Sequence, residues 1–256
     1  MKKWWVWFYG LSLMVIGVSA ENPSFPGSTD PGFWGSMGST LEQGSPSEES
    51  SPARRSDSLW LSLFWNDFNE LSSCNQWGFS AAWGRKYYRS AFLFSFMKMD
   101  SIYDAVSSGV ELAFHWRRFN LGFGHLWRIE WVPGIDSWSA HRSKWGAHVR
   151  LVGGFSLGAL YTVAYGEHYE WWGGLHWNSS SRTGFFIEFS KGKLNVGQTI
   201  GFGAFSFQSA LSYPGPQMAM GLIFDFQQFL IGVGVYRSAV AFNSRSFHMN
   251  WNSLRQ

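Results

Sequence analysis

Glu111, His115, His148, Arg150, Glu188 and Asp225 are the residues of this chain whose types could do chemistry. A histidine beside a carboxylate can move protons, and a serine added to the pair makes a hydrolase or acyltransferase site. The six are scattered, and no serine–histidine–acid spacing joins them. The plainer reading is that they are charges which pair with one another and hydrate an interior. No catalytic residue is therefore assigned, and the chain is expected not to be an enzyme. The run "GEHYEWW" (residues 166–172) offers two carboxylates and a histidine, but Glu167 and His168 point to opposite faces of an extended chain. With no second ligand cluster, no metal site follows. "GFGAFSF" is followed by no helix and no suitably placed lysine, so it is not a phosphate loop. No cofactor is implied.

The elements that carry these residues are strands. Aromatic residues make up 20% of the 256-residue chain and charged residues only 14%, against a usual charged share of about 25%. Mean hydropathy is nonetheless slightly negative, which excludes a chain of apolar helices. Aromatics set among glycine, serine and asparagine favour the pleated geometry of a sheet. The single cysteine, Cys74, allows no intramolecular disulfide. The net charge of +3 is spread without a basic run or stripe, so no nucleic-acid partner is expected.

Three regions differ in composition. Lys2 and Lys3 precede an apolar stretch from Trp4 to Val18, and Val18-Ser19-Ala20 fits a cleavage site. Residues 1–20 therefore read as a secretory signal peptide, too short to span a bilayer as a helix, which needs about 20 apolar residues. Residues 21–58 are rich in serine, proline, glycine and acid, and read as a disordered segment that cannot bury enough surface to order itself. Residues 59–256 alternate.

The alternation can be tested at turns, because a one-residue slip would exchange the two faces. With Lys191-Gly192 as a turn, Phe189 meets Leu194 and Ile187 meets Val196, while Glu188 meets Asn195 and Phe186 meets Gly197. With Arg117-Arg118 as a turn, Trp116, Phe114 and Leu112 meet Phe119, Leu121 and Phe123, while His115 meets Asn120 and Ala113 meets Gly122. With Gln227-Gln228 as a turn, Phe224 meets Ile231 and Leu222 meets Val233, with Asp225 on the other face. A Gly153-centred turn joins two more strands, whose polar face carries Lys144, His148, Arg150 and Ser156. The same reading along the chain predicts fourteen strands, with twelve as the alternative count.

The apolar faces could meet in a sandwich or face lipid around a barrel. The opposite face is poor in charge for a surface in water. Trp77, Trp83, Tyr88, Trp116, Trp127, Trp145, Tyr165, Trp171 and Trp177 cluster near predicted strand ends, where aromatic belts of membrane proteins lie. Short turns such as 117–118 and 227–228 alternate with longer predicted loops such as 67–75, 98–107 and 128–142, the pattern of bacterial outer-membrane barrels.

On the signal peptide, the alternating strands and the aromatic strand ends, the chain resembles bacterial outer-membrane β-barrel proteins over about 59–256. The resemblance implies an all-β antiparallel transmembrane barrel in the outer membrane of a diderm bacterium. Its partners would be outer-membrane lipid and the barrel-assembly machinery, and its role that of a scaffold or small-solute pore. Many such proteins end on a strand closing with phenylalanine. This chain ends "FHMNWNSLRQ", where Trp251 would take that place with five residues after it. Two other classes stay open. One is a secreted glycan-binding β-sandwich with Trp171, Trp172 and Trp177 as its sugar platform. The other is a lipid-modifying barrel enzyme, which needs a tight His/Ser/acid cluster.

Overall fold

The computed structural model describes residues 51–53, 59–68, 74–99, 103–134, 137–164, 169–180, 183–214, 217–226, 229–238 and 244–252. Among them the chain forms fourteen strands: β1 (Leu59–Phe68), β2 (Cys74–Arg85), β3 (Tyr88–Met99), β4 (Tyr103–Trp116), β5 (Phe119–Trp131), β6 (Trp138–Arg150), β7 (Phe155–Ala164), β8 (Tyr169–Ser180), β9 (Thr183–Ser190), β10 (Lys193–Phe202), β11 (Phe205–Tyr213), β12 (Gln217–Phe226), β13 (Phe229–Ser238) and β14 (Ser244–Asn252). Each pairs antiparallel with its neighbours in sequence, and β1 pairs with β14 to close the sheet on itself. Closure leaves no strand edge unpaired. The twelve-strand alternative falls, since β1 and β14 are both present and Leu61 stands opposite Trp251.

Period-two alternation fixes which residues face in and which face out. The three hairpins have the register that alternation predicts: Ile187 opposite Val196, Phe114 opposite Leu121, Leu222 opposite Val233. The tight turns need left-handed backbone, and Gly192 supplies it at φ 73°. In the 117–118 turn it is the first residue, Arg117, that adopts positive φ, at 54°, and its guanidinium lies 5.5 Å from the Trp116 ring centre.

The large apolar residues face outward. Leu112 is 62% exposed, Leu121 59%, Phe114 56% and Trp116 56%. From Val106 to Trp116 the outward positions of β4 are apolar apart from Ser108. Ten residues of strand cover about 33 Å, or about 25 Å across a bilayer at a tilt of ~40°, the height of a transmembrane barrel's apolar band. Neighbouring rings touch around this wall: Phe123, Trp145 and Tyr161 lie 5.6 and 5.8 Å apart in sequence, and Trp171 meets Phe189 at 5.8 Å. A two-sheet sandwich is thereby excluded. Its sugar platform dissolves too, because Trp172 faces inward at 5% exposure while Trp171 and Trp177 face outward.

Two expectations change. The predicted loops 98–107 and 128–142 are largely strand, leaving only 100–102 and 132–137 between strands. The alternation continues through them, with Met99, Tyr103 and Ala105 packed inside in the first and charges inside in the second. Arg128 pairs with Glu130 at 2.7 Å and donates to Tyr103 Oη at 2.7 Å, while Ile129 and Trp131 still face out. The contrast in loop length between the two ends is correspondingly smaller. The interior is also fuller than a face of glycine and alanine suggests. Phe64, Leu93, Leu126, Leu160, Trp172 and Phe186 are buried inside, some lying over glycines. A Cβ on Gly109 would stand 3.0 Å from Leu126, and one on Gly197 would meet the Phe186 ring.

The signal segment 1–20 lies outside the described residues, and of 21–58 only Ser51, Pro52 and Ala53 are described. For these three, a solvated linker does not hold. Ser51 and Ala53 are 2% and 1% exposed, and Pro52 is buried with them.

Candidate functional site: the charged lumen

The lumen wall from β3 to β6 carries an ion-pair network. Arg89 on β3, Glu111 on β4 and Lys144 on β6 each have 1% of their surface exposed. Lys144 Nζ lies 2.7 Å from Glu111 Oε1, and both Arg89 Nη1 and Nη2 donate to Glu111 Oε2 at 3.3 Å. Lys144 and Glu111 sit on strands that are not neighbours. They meet because Gly124 on β5 lies between them in register, opposite both. A side chain there would intrude, as its Cβ would stand 3.1 Å from Lys144 Cε and 3.3 Å from Glu111 Cγ. Charges held out of water need such pairing, since an uncompensated buried ion costs several kcal/mol.

Toward the short-turn end the wall carries polar rings. His115 Nδ1 lies 3.0 Å from Asn120 Oδ1, its directly opposed partner. His148 on β6 and His176 on β8 stack with centroids 5.9 Å apart and planes 13° apart, across β7, where Gly158 stands opposite His148. At the opposite end, near the 191–192 turn, Glu188 is 0% exposed and faces Asn195 across β9–β10. Arg150 and Asp225 are only half-buried. Of the six residues singled out from sequence, the structure therefore buries Glu111, His115, His148 and Glu188 and leaves Arg150 and Asp225 nearer the barrel ends. Glu111 joins the charged network.

Arg89, Lys144, His176 and Asn195 were not among those six. Strand parity carries the signal for each. Lys144 shares the parity of His148, and Arg89 becomes an inward position once the 86–87 turn sets the register of β3. Gly154-Phe155-Ser156-Leu157-Gly158 spells the letters of a nucleophile elbow. The elbow requires a strand-to-helix turn, whereas Ser156 lies inside β7, 4% exposed and opposite His176.

At the other end a cavity of about 340 Å³ is lined by Arg142, Thr162, Glu170 and Lys193, with Lys193 and Glu170 3.6 Å apart. Glu167 and His168 of the "GEHYEWW" run lie outside the described residues. Among the described residues no group of three or more His, Cys, Asp or Glu could hold a metal ion. Two polar pairs face outward: His125 Nδ1 with Ser143 Oγ at 2.9 Å, and Gln198 Nε2 with Ser209 Oγ at 3.3 Å. Each is a directly opposed cross-strand pair, and the bond gives a polar atom on the outer face a partner.

No family model matches the chain, and no curated protein matches it. Among solved structures, the CymD monoaromatic hydrocarbon channel superposes with a TM-score of 0.60 at 9% identity, over 86% of this chain and 96% of that one. Two engineered variants of Rh. blastica porin align with TM-scores of 0.46 and 0.47 at 8% and 7% identity, over 76% of this chain and 98% of theirs. The likeness to the hydrocarbon channel is one of fold: the chain is built as an outer-membrane-type β-barrel.

Proposed function

We propose that the chain is an outer-membrane pore, a barrel whose charge-lined lumen passes small solutes, and that it is not an enzyme. The observation that carries this reading is the combination of a closed sheet, an apolar outer wall and the Arg89–Glu111–Lys144 network on the inner wall. A barrel serving only as a scaffold can fill its interior with apolar side chains, and buried charges are costly enough to need a reason. The fold shared with a hydrocarbon channel supports the same class of role. The signal segment directs export and is cleaved after Ala20, and the barrel-assembly machinery inserts the strands into outer-membrane lipid. Purified, refolded chain in planar bilayers is expected to give discrete current steps. No steps from folded protein, either intact or lacking residues 21–53, would overturn the pore.

A second reading, a lipid-modifying barrel enzyme, is favoured by one observation. Ser156, His176 and Glu188 lie on adjacent strands β7, β8 and β9 on the same inner face, all nearly inaccessible. Fatty-acid release from phospholipid by the purified chain, lost in Ser156→Ala, would put a hydrolase in place of the pore.

A further inference from the structure

Ser51, Pro52 and Ala53 are far in sequence from the strands that bury them. Arg89 Nη1 donates to the Pro52 carbonyl oxygen at 3.4 Å. Within the segment, the Ala53 amide donates to Ser51 Oγ at 3.2 Å, which folds the three residues into a small turn. Charge-assisted bonding from Arg89 gives the main chain a partner inside the lumen, where a buried carbonyl would otherwise be costly.

The wall opposite this turn is shaped for it. Gly122 on β5 and Gly146 on β6 are directly opposed. A Cβ built on Gly122 would run into the Pro52 and Ala53 main chain, lying 2.5 Å from the Ala53 amide nitrogen. A Cβ on Gly146 would strike Ser51 Oγ and stand 3.0 Å from both the Ala53 amide nitrogen and Pro52 Cδ. In each case all three nearest atoms belong to 51–53. Other inward glycines differ, since those at 78 and 197 are covered by the barrel's own Phe64 and Phe186. Main chain can approach main chain this closely only where a side chain is missing. The bare pair at 122 and 146 is therefore matched to the segment and not to the packing of the barrel wall.

We infer that the Gly122–Gly146 wall with Arg89 is an internal docking site for the Ser51–Ala53 segment, and that seating it there closes the lumen beside the Arg89–Glu111–Lys144 network. The closure rests on the pore reading above, while the docking does not. The buried carbonyl, the two bare glycines and the 1–2% exposure of Ser51 and Ala53 stand whatever passes through the barrel.

A Cβ on Gly124 would lie 3.6 Å from Pro52 Cβ, within the range a disulfide needs, about 3.5–4.5 Å. The full chain carrying Cys74→Ser, Pro52→Cys and Gly124→Cys is expected to form an intrachain disulfide on mild oxidation, and its bilayer conductance is expected to rise on reduction. Because the substitution at 124 sits between Lys144 and Glu111, a second variant reads docking separately. Ala53→Cys in the Cys74→Ser chain should react with a maleimide at least about tenfold more slowly when folded than when unfolded, and Gly122→Val with Gly146→Val should abolish that protection. The same glycine variant should conduct more than the native chain. No disulfide together with unprotected Ala53→Cys overturns the docking. A disulfide that forms but leaves conductance unchanged on reduction overturns the closure, as the segment is then a fixed strut. Absence of current from every variant, including the chain lacking residues 21–53, removes the pore and the closure together, while the disulfide and the maleimide rates still decide the docking.

Discussion

Arginine at Leu112, Leu121 or Val233 is expected to stop the barrel from assembling into a bilayer, while arginine at Thr199 is tolerated. The first three face outward, at 62%, 59% and 44% exposure, from strands that pair on both sides. A guanidinium at mid-bilayer depth on this wall costs about 2–4 kcal/mol, a large part of the margin by which a domain is stable. Thr199 is half-buried on the inner face, bonded to Gln208 at 3.4 Å, where water and polar neighbours can receive a charge. The measurement is the fraction of refolded protein that runs as the compact, unheated form on a gel after insertion into lipid vesicles. Comparable loss at Thr199 and at the outward positions would mean that both faces are dry.

The second large effect is expected at Glu111. Its carboxylate faces two cations, Arg89 at 3.3 Å and Lys144 at 2.7 Å, with all three side chains 1% exposed. Glu111→Ala leaves both cations buried without it, and breaking a buried pair in this way typically costs about 3–5 kcal/mol. A fall of that size in the urea-unfolding free energy of Glu111→Ala is the expected result. Removing Lys144 as well, with Lys144→Met, should return part of it, because the stranded charge goes with its partner. An unchanged unfolding midpoint in Glu111→Ala would show that water reaches the network and screens it.

Much of the fold was legible in the sequence because it depends on nearest neighbours. Two-residue turns tie each hairpin's register to the turn, and a face with Ile187 and Val196 cannot exchange with one carrying Glu188 and Asn195 without burying charge in lipid. The site was legible only in part, because it depends on strands that are not adjacent in sequence. The meeting of Lys144 with Glu111 requires the bare Gly124 on the strand between them. Arg89 stands diagonal to the same carboxylate on the neighbouring strand β3, but reading 98–107 as a loop left the β3–β4 register unset. The extension of β5 through Arg128 and Glu130 was hidden because charges at inward positions look like loop until their partner Tyr103, on the neighbouring strand β4, is in place. His125 and Ser143 were hidden for the converse reason, as polar residues at outward positions break the alternation that assigns faces. The burial of Pro52 has no local signal, since a Ser/Pro-rich stretch has no periodicity and the groups that meet Pro52, Arg89 and the backbone of Gly122 and Gly146, are distant in sequence.

The central claim is that one face of every strand meets lipid and the other meets the lumen. Spin labels placed singly at residues 110 to 116 of β4, in the Cys74→Ser chain reconstituted in bilayers, test it most directly. Relaxation by lipid-soluble oxygen should peak at Val110, Leu112, Phe114 and Trp116 and fall at Glu111, Ala113 and His115, giving a period of two along the strand. An accessibility profile without that period, or one in which a water-soluble relaxing agent peaks at the even positions, would contradict a membrane-spanning barrel.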